Sequence, residues 1–214
     1  TMNKRLGIIG GSGLYEIPGV DILKSFPLDT PWGAPSAPVV ECKYKEQSFF
    51  FLPRHGIGHS IPPSKINYRA NIDAFKKLDV TDVLSLSSVG SLNEDLSPGV
   101  FVVINQYVDF TKNRTTTFFE DDIVVHVSMA KPTDEKLMEI SRDCLEKLQI
   151  KYNFGGSYIC IEGPQFSTKE ESTLFQKWGC DVIGMTSMPE AKLCKEASLR
   201  YVNVGMVTDF DCWH

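Results

Sequence analysis

Seven apolar runs recur along the chain, several of them hydrophobic throughout rather than alternating, and helical periodicity fills much of the space between them. Runs of that kind suit strands of a sheet covered on both faces, because a strand with one wet face shows alternation instead. Residues 6–9, 48–52, 82–87, 100–108, 157–161, 181–185 and 201–208 read as these strands. Residues 67–78 read as a helix. Residues 133–148 read as a second, with Thr133 as its cap, acids in its first turn and Leu137, Ile140, Cys144 and Leu148 along the inward stripe. Ser167-Thr168-Lys169-Glu170 has the form of a capping box and starts a third helix running through Trp178. Pro189 suits the first position of a fourth, over 190–197. The alternation predicts a single α/β domain with a central mixed, largely parallel sheet flanked by helices. Segments 33–38 and 113–122 read as surface loops, the second long enough to meet another subunit.

With 214 residues the chain is large enough for a substantial core. A formal net charge of −5 gives no chain-wide basic footprint for nucleic acid, and the longest apolar runs fall well short of a membrane span, so neither partner is expected and the cytoplasm is the expected compartment. The six cysteines are scattered, with no Cys-x-x-Cys pair and no Cys/His cluster at zinc spacing. Free and mostly buried thiols are expected.

The chemistry-bearing motifs are a glycine turn, a cationic loop and two strand ends. Gly10-Gly11-Ser12-Gly13 follows an apolar run as a dinucleotide fingerprint does, yet Glu16 stands where the third glycine belongs and Pro18-Gly19 stops any long helix. A dehydrogenase is therefore a weak reading; the turn better suits one phosphate, cradled by backbone N–H groups and the Ser12 hydroxyl. Arg54-His55, on a loop stiffened by Pro62 and Pro63, adds a planar fork of donors matched to phosphate oxygens and a neighbouring imidazole. Ser12, Arg54, His55 and Thr186 would surround one tetrahedral anion if the sheet brings their strand ends together.

Taken in order, Ile8-Ile9-Gly10-Gly11-Ser12-Gly13, Arg54-His55-Gly56 through Asn67-Tyr68-Arg69-Ala70-Asn71, Val89-Gly90-Ser91-Leu92, Glu162-Gly163-Pro164-Gln165-Phe166-Ser167, Gly184-Met185-Thr186 with Pro189-Glu190, and Thr208-Asp209-Phe210-Asp211-Cys212-Trp213 resemble the methylthioadenosine phosphorylase branch of the trimeric purine nucleoside phosphorylases. The resemblance runs over essentially the whole chain. It implies phosphorolysis of 5'-methylthioadenosine to adenine and 5-methylthioribose 1-phosphate, with inorganic phosphate as co-substrate and no metal or organic cofactor. It implies a phosphate site at Ser12, Arg54, His55 and Thr186, helped by the backbone around Ser87 and Ser88. The base would stack near Phe166 with the Ser167 hydroxyl close to it, and the ribose would lie against Met185. His126 would reach the 5' pocket of a neighbouring subunit, in a homotrimer or a dimer of trimers. Relatives of this kind continue for several dozen residues past the Asp-Cys-Trp segment, so the domain reading is 2–214 without that C-terminal helical portion. Gln165 stands where the family often has Arg.

The implied chemistry suits these residue types. Breaking a purine N-glycosidic bond leaves positive charge on the ribose and negative charge on the base, so the site must supply an anion on one side and a proton on the other. Asp209, at the expected C-terminal end of strand 201–208, is the candidate acid, and a partly dry pocket there would favour its protonated form. Asp209 with Asp211 also favours a 6-aminopurine, whose exocyclic group donates, over the 6-oxopurine of inosine, guanosine or methylthioinosine. Against these stands the reading that both acids cap a following helix. An inactive nucleoside-binding subunit is the alternative of another class.

Overall fold

A computed structural model describes residues 3–214; Met2, where the expected domain begins, lies outside the described residues. The elements are β1 (Leu6–Gly10), β2 (Val20–Phe26), β3 (Val39–Tyr44), β4 (Gln47–Pro53), α1 (Tyr68–Lys77), β5 (Asp82–Ser91), β6 (Phe101–Ile104), β7 (Gln106–Phe110), α2 (Glu135–Lys147), β8 (Tyr152–Phe154), β9 (Ser157–Ile161), α3 (Lys169–Lys177), β10 (Val182–Gly184), α4 (Glu190–Glu196) and β11 (Arg200–Phe210). The strands form one mixed sheet in the order β2-β3-β4-β1-β5-β10-β9-β7, with β11 pairing β5 and β6, and β6 pairing β8. The expected α/β architecture is therefore present.

β5 is the hub. On one side it pairs with β1, in parallel, only as far as Ile9↔Ser85. That side is taken up again by β10, antiparallel, at Ile183↔Gly90 and Val182↔Ser91. On its other side β5 runs with β11 from Arg200↔Asp82 to Phe210↔Ser91. Residues 86–89 thus lie where one neighbour has left and the next has just arrived, a topological switch of the kind at which α/β sheets place ligands. β10 runs against β5, so the chain leaving it at Gly184 turns back along this opening and brings Met185 and Thr186 beside it.

The core forms against both faces of this sheet. One cluster joins Ile9, Leu52, Val83, Val102 and Ile104 to α1 through Ile72 and Phe75 and to α4 through Ala191, Leu193 and Cys194. A second joins Val103, Val202 and Val204 to Met138 and Leu145 of α2. The expected stripe on α2 is therefore rotated. Ile140, Cys144 and Leu148 are exposed, because the helix turns Met138 and Leu145 toward β6 and β11. Its cap is Asp134, whose carboxylate accepts the Leu137 N–H, while the Thr133 hydroxyl donates to the Ile104 carbonyl. The capping box on α3 is likewise shifted by one residue, to Thr168 and Glu171. The expected strand 100–108 is two strands, β6 and β7, with different neighbours. All six cysteines are free, four buried and two, Cys144 and Cys212, exposed.

Candidate active site

A cavity of about 730 Å³ opens at the switch beside β5. Strand ends and loops far apart in sequence meet there: Arg54 and His55 after β4, Ser87 and Ser88 in β5, Phe166 and Ser167 before α3, Met185 and Thr186 after β10, and Asp209 and Asp211 at the end of β11. Ten of the twelve expected site residues line this space. Ser12 and His126 do not. Gly11 reaches the cavity in place of Ser12, which opens a short 3-10 turn (Ser12–Glu16) and faces solvent. His126 is exposed on the irregular segment between β7 and α2, beside the exposed Ile123, Val124 and Val125.

The most constrained group is Arg54, which is buried to 2% exposure. Its Nε donates to Glu190 Oε2 at 3.0 Å and its Nη2 donates to Glu190 Oε1 at 3.2 Å and to Ser85 Oγ at 2.5 Å. Nη1 donates to the Leu86 carbonyl at 3.0 Å. Four of the five guanidinium N–H groups are thereby engaged, and one on Nη1 is left on a residue that lines the cavity. Burial works against the charge, but the Glu190 carboxylate outweighs it and holds Arg54 firmly protonated. Glu190, itself 1% exposed, also accepts hydrogen bonds from Ser85 Oγ and from the Tyr201 hydroxyl at 2.7 Å. Sequence reasoning noted Glu190 only beside Pro189 at the start of a helix, where an acid ordinarily faces water. Its partner lies 136 residues away, which no local pattern records.

His55 closes the next stretch of loop. Burial lowers its pKa from the ordinary imidazole value, and the neighbouring Arg54 and His59 add to this against a hydrogen bond to the Ile61 carbonyl. The His59 ring lies over it with centroids 4.3 Å apart. In the turn after β10 Thr186 is buried and its N–H donates to the Tyr158 hydroxyl at 3.4 Å. Only glycine fits at 184, because a Cβ there would stand 2.0 Å from that hydroxyl. Gly163 answers to a similar limit, with φ of +63° and Met185 Sδ 2.5 Å from the position of a Cβ.

The two acids differ in setting. A bulge in the β5–β11 pairing falls between Val207 and Asp209, re-aiming the end of β11. Asp209 is exposed at the cavity, and its Oδ1 accepts from the Thr208 hydroxyl at 2.9 Å. The partly dry setting expected for it is absent. Asp211 is the buried member, at 9% exposure, and its Oδ2 accepts from Ser172 and, at 3.4 Å, from Ser167. Ser172 is a second partner that the motifs do not announce. Phe166 lines the cavity and is 85% exposed, an apolar ring open to a planar ligand.

Comparison with known proteins decides the family. The profile of the phosphorylase superfamily matches residues 5–214. The chain is 51% identical over 209 residues to S-methyl-5'-thioadenosine phosphorylase of Rhodospirillum rubrum, covering 98% of this chain and 71% of that protein. The chain belongs to the phosphorylase superfamily, in its S-methyl-5'-thioadenosine phosphorylase family. Among solved structures, a methylthioadenosine phosphorylase sourced from an antarctic soil metagenomic library superposes with a TM-score of 0.96 at 45% identity, over 99% of this chain and 75% of the other. An S12T mutant of the adenosine/methylthioadenosine phosphorylase of Schistosoma mansoni, in complex with methylthioadenosine, gives 0.94 at 38% identity, over 99% and 82%. The sheet branch at β5 and the cavity beside it are thus set in a phosphorylase fold.

Proposed function

We propose that this phosphorylase-family chain cleaves 5'-methylthioadenosine with inorganic phosphate, releasing adenine and 5-methylthioribose 1-phosphate. The observation that carries the reading is the set of groups that meet around one cavity: Arg54, His55, Ser87, Ser88 and Thr186 offer groups suited to an anion, and Phe166, Ser167, Asp209 and Asp211 offer an apolar face and acceptors suited to a base. Met185 lines the same cavity, and in this reading the ribose lies against it. The volume of about 730 Å³ suits a nucleoside and a phosphate together.

In this reading phosphate sits against the Gly11 turn, the remaining Arg54 N–H, His55 and the backbone at Ser87 and Ser88. It attacks the ribose carbon as the bond to the purine lengthens, its negative charge stabilising the cationic sugar. Asp209 shares a proton with N7 of the departing base, its Oδ1 steadied by the Thr208 hydroxyl. Asp211 is fixed by Ser172 and Ser167 and steadies the same end of the site. Each acid keeps an unprotonated oxygen that accepts a hydrogen bond, which supports a purine with a 6-amino donor. No metal or organic cofactor enters the scheme.

The reading includes a homotrimer, or a dimer of trimers, in which His126 completes a neighbour's 5' pocket. Its exposure outside the cavity of its own chain supports that role. It also places the enzyme in the cytoplasm; among the described residues no helix is long and apolar enough to cross a membrane. The deciding experiment is release of free base from methylthioadenosine, adenosine and inosine, with and without inorganic phosphate. Phosphate-dependent adenine release, fastest from methylthioadenosine, is expected; release that ignores phosphate overturns the reading.

A further inference from the structure

Arg54 lines the cavity already neutralised, because Glu190 meets its guanidinium through two hydrogen bonds and neither residue is more than 2% exposed. Resting on the phosphorolysis reading above, we infer that Glu190 is a positioning residue that sets the strength of the phosphate site: it offsets the charge of Arg54 and presents that residue through one fixed N–H instead of a free fork.

The geometry gives Glu190 few other tasks. Its two oxygens are filled by Arg54, Ser85 and Tyr201, and Ser85 Oγ accepts a further bond from Asn203 Nδ2 at 3.1 Å, so carboxylate and guanidinium are locked from several strands at once. A buried ion pair of this kind is a costly way to gain stability, since well-packed apolar residues often serve as well. Its effect on a neighbouring anion is direct. A fixed carboxylate close behind the guanidinium opposes a phosphate dianion through a poorly screened interior. A guanidinium released from it would face the anion as a full charge and a two-pronged donor. Phosphate held that tightly in the ground state has further to climb to the transition state, so affinity would rise while turnover falls.

The test uses the intact protein and inorganic phosphate, measured by isothermal titration calorimetry, alongside kcat and KM for phosphate. Glu190→Gln, verified as folded by circular dichroism, is expected to bind phosphate at least about tenfold more tightly and to lose at least about tenfold in kcat. Unchanged or weaker phosphate binding overturns the proposal, whereas a purely structural role would move the melting temperature without this opposite movement of affinity and turnover. If Glu190→Gln fails to fold, the double variant Arg54→Gln with Glu190→Gln removes both charges together. Its phosphate affinity is expected at least about tenfold above that of Arg54→Gln alone, in which the stranded carboxylate opposes the anion, and equal affinities of the two variants overturn the offset. Wild-type protein that turns over nucleoside with phosphate keeps the phosphorolysis reading whatever the variants do; wild-type protein that binds no phosphate removes both.

Discussion

His55 and Ile61 hold each other twice: the Ile61 N–H donates to the His55 carbonyl at 3.0 Å, and His55 Nδ1–H donates to the Ile61 carbonyl at 2.9 Å. This closes the loop after β4 and commits the Nδ1 proton, so the ring donates to an anion through Nε2 once that nitrogen takes up a proton. Burial, with Arg54 and His59 adding, favours the neutral ring in the free protein.

A titration follows from that clasp. Because the folded value lies below the ordinary imidazole value of about 6.5, His55 contributes stability that is present above about pH 6.5 and lost as the pH falls below it. Bound phosphate adds negative charge nearby and pulls the other way. Followed by nuclear magnetic resonance, the His55 ring is expected to titrate below 6.5 without phosphate and to move upward on saturation with it. A midpoint indifferent to phosphate would take His55 out of the anion site.

Arg54→Ala carries two expected costs. It strands a buried carboxylate, Glu190, which should destabilise the fold by about 3–5 kcal/mol. It also leaves that negative charge facing the proposed anion site, so KM for phosphate should rise far more than KM for nucleoside. Chemical denaturation and steady-state kinetics at varied phosphate measure these separately, and a normal phosphate dependence would remove Arg54 from the site.

Asp209→Asn isolates the acid. The side chain is exposed and its one hydrogen bond from a side chain comes from the adjacent Thr208, so the melting temperature should hardly change. Loss of a general acid should depress turnover on adenine nucleosides by about a hundredfold or more. An amide at this position also presents an N–H to a 6-oxopurine, so the ratio of inosine to adenosine turnover should rise. Unaltered adenosine kinetics would leave the proton to another group.

The strands that build the site were legible because they are buried on both faces: 6–9, 48–52, 82–87, 157–161 and 201–208 all fall within observed strands. β2 left no such trace, since five of its seven residues are exposed and its sequence, Val-Asp-Ile-Leu-Lys-Ser-Phe, shows no apolar run or clean alternation. β8 has only three residues, and β3, Val-Val-Glu-Cys-Lys-Tyr, is too mixed to stand out. The division of 100–108 depends on Asn105, whose N–H donates to the Gly156 carbonyl and whose side-chain oxygen accepts the Gly156 N–H. That pairing is tertiary and has no local signature. The same holds for Glu190 and Ser172, which became visible only when the fold set them against Arg54 and Asp211.

His126 allows the most direct test of shared sites. It stands outside its own cavity, so in the proposed trimer each site takes Asp209 from one chain and His126 from the next. His126→Ala should impair methylthioadenosine more than adenosine, because the expected contact is with the 5' substituent. The stronger test mixes two inactive or weakened variants, Asp209→Asn and His126→Ala, unfolded and refolded together. A mixed trimer contains interfaces at which an intact Asp209 meets an intact His126, so methylthioadenosine turnover should recover to well above that of either variant alone. Separately refolded variants combined afterwards provide the control. Recovery absent from co-refolded protein that sediments as a trimer would place His126 outside any neighbour's pocket, and a protein that sediments as a monomer while fully active would dispense with sharing altogether.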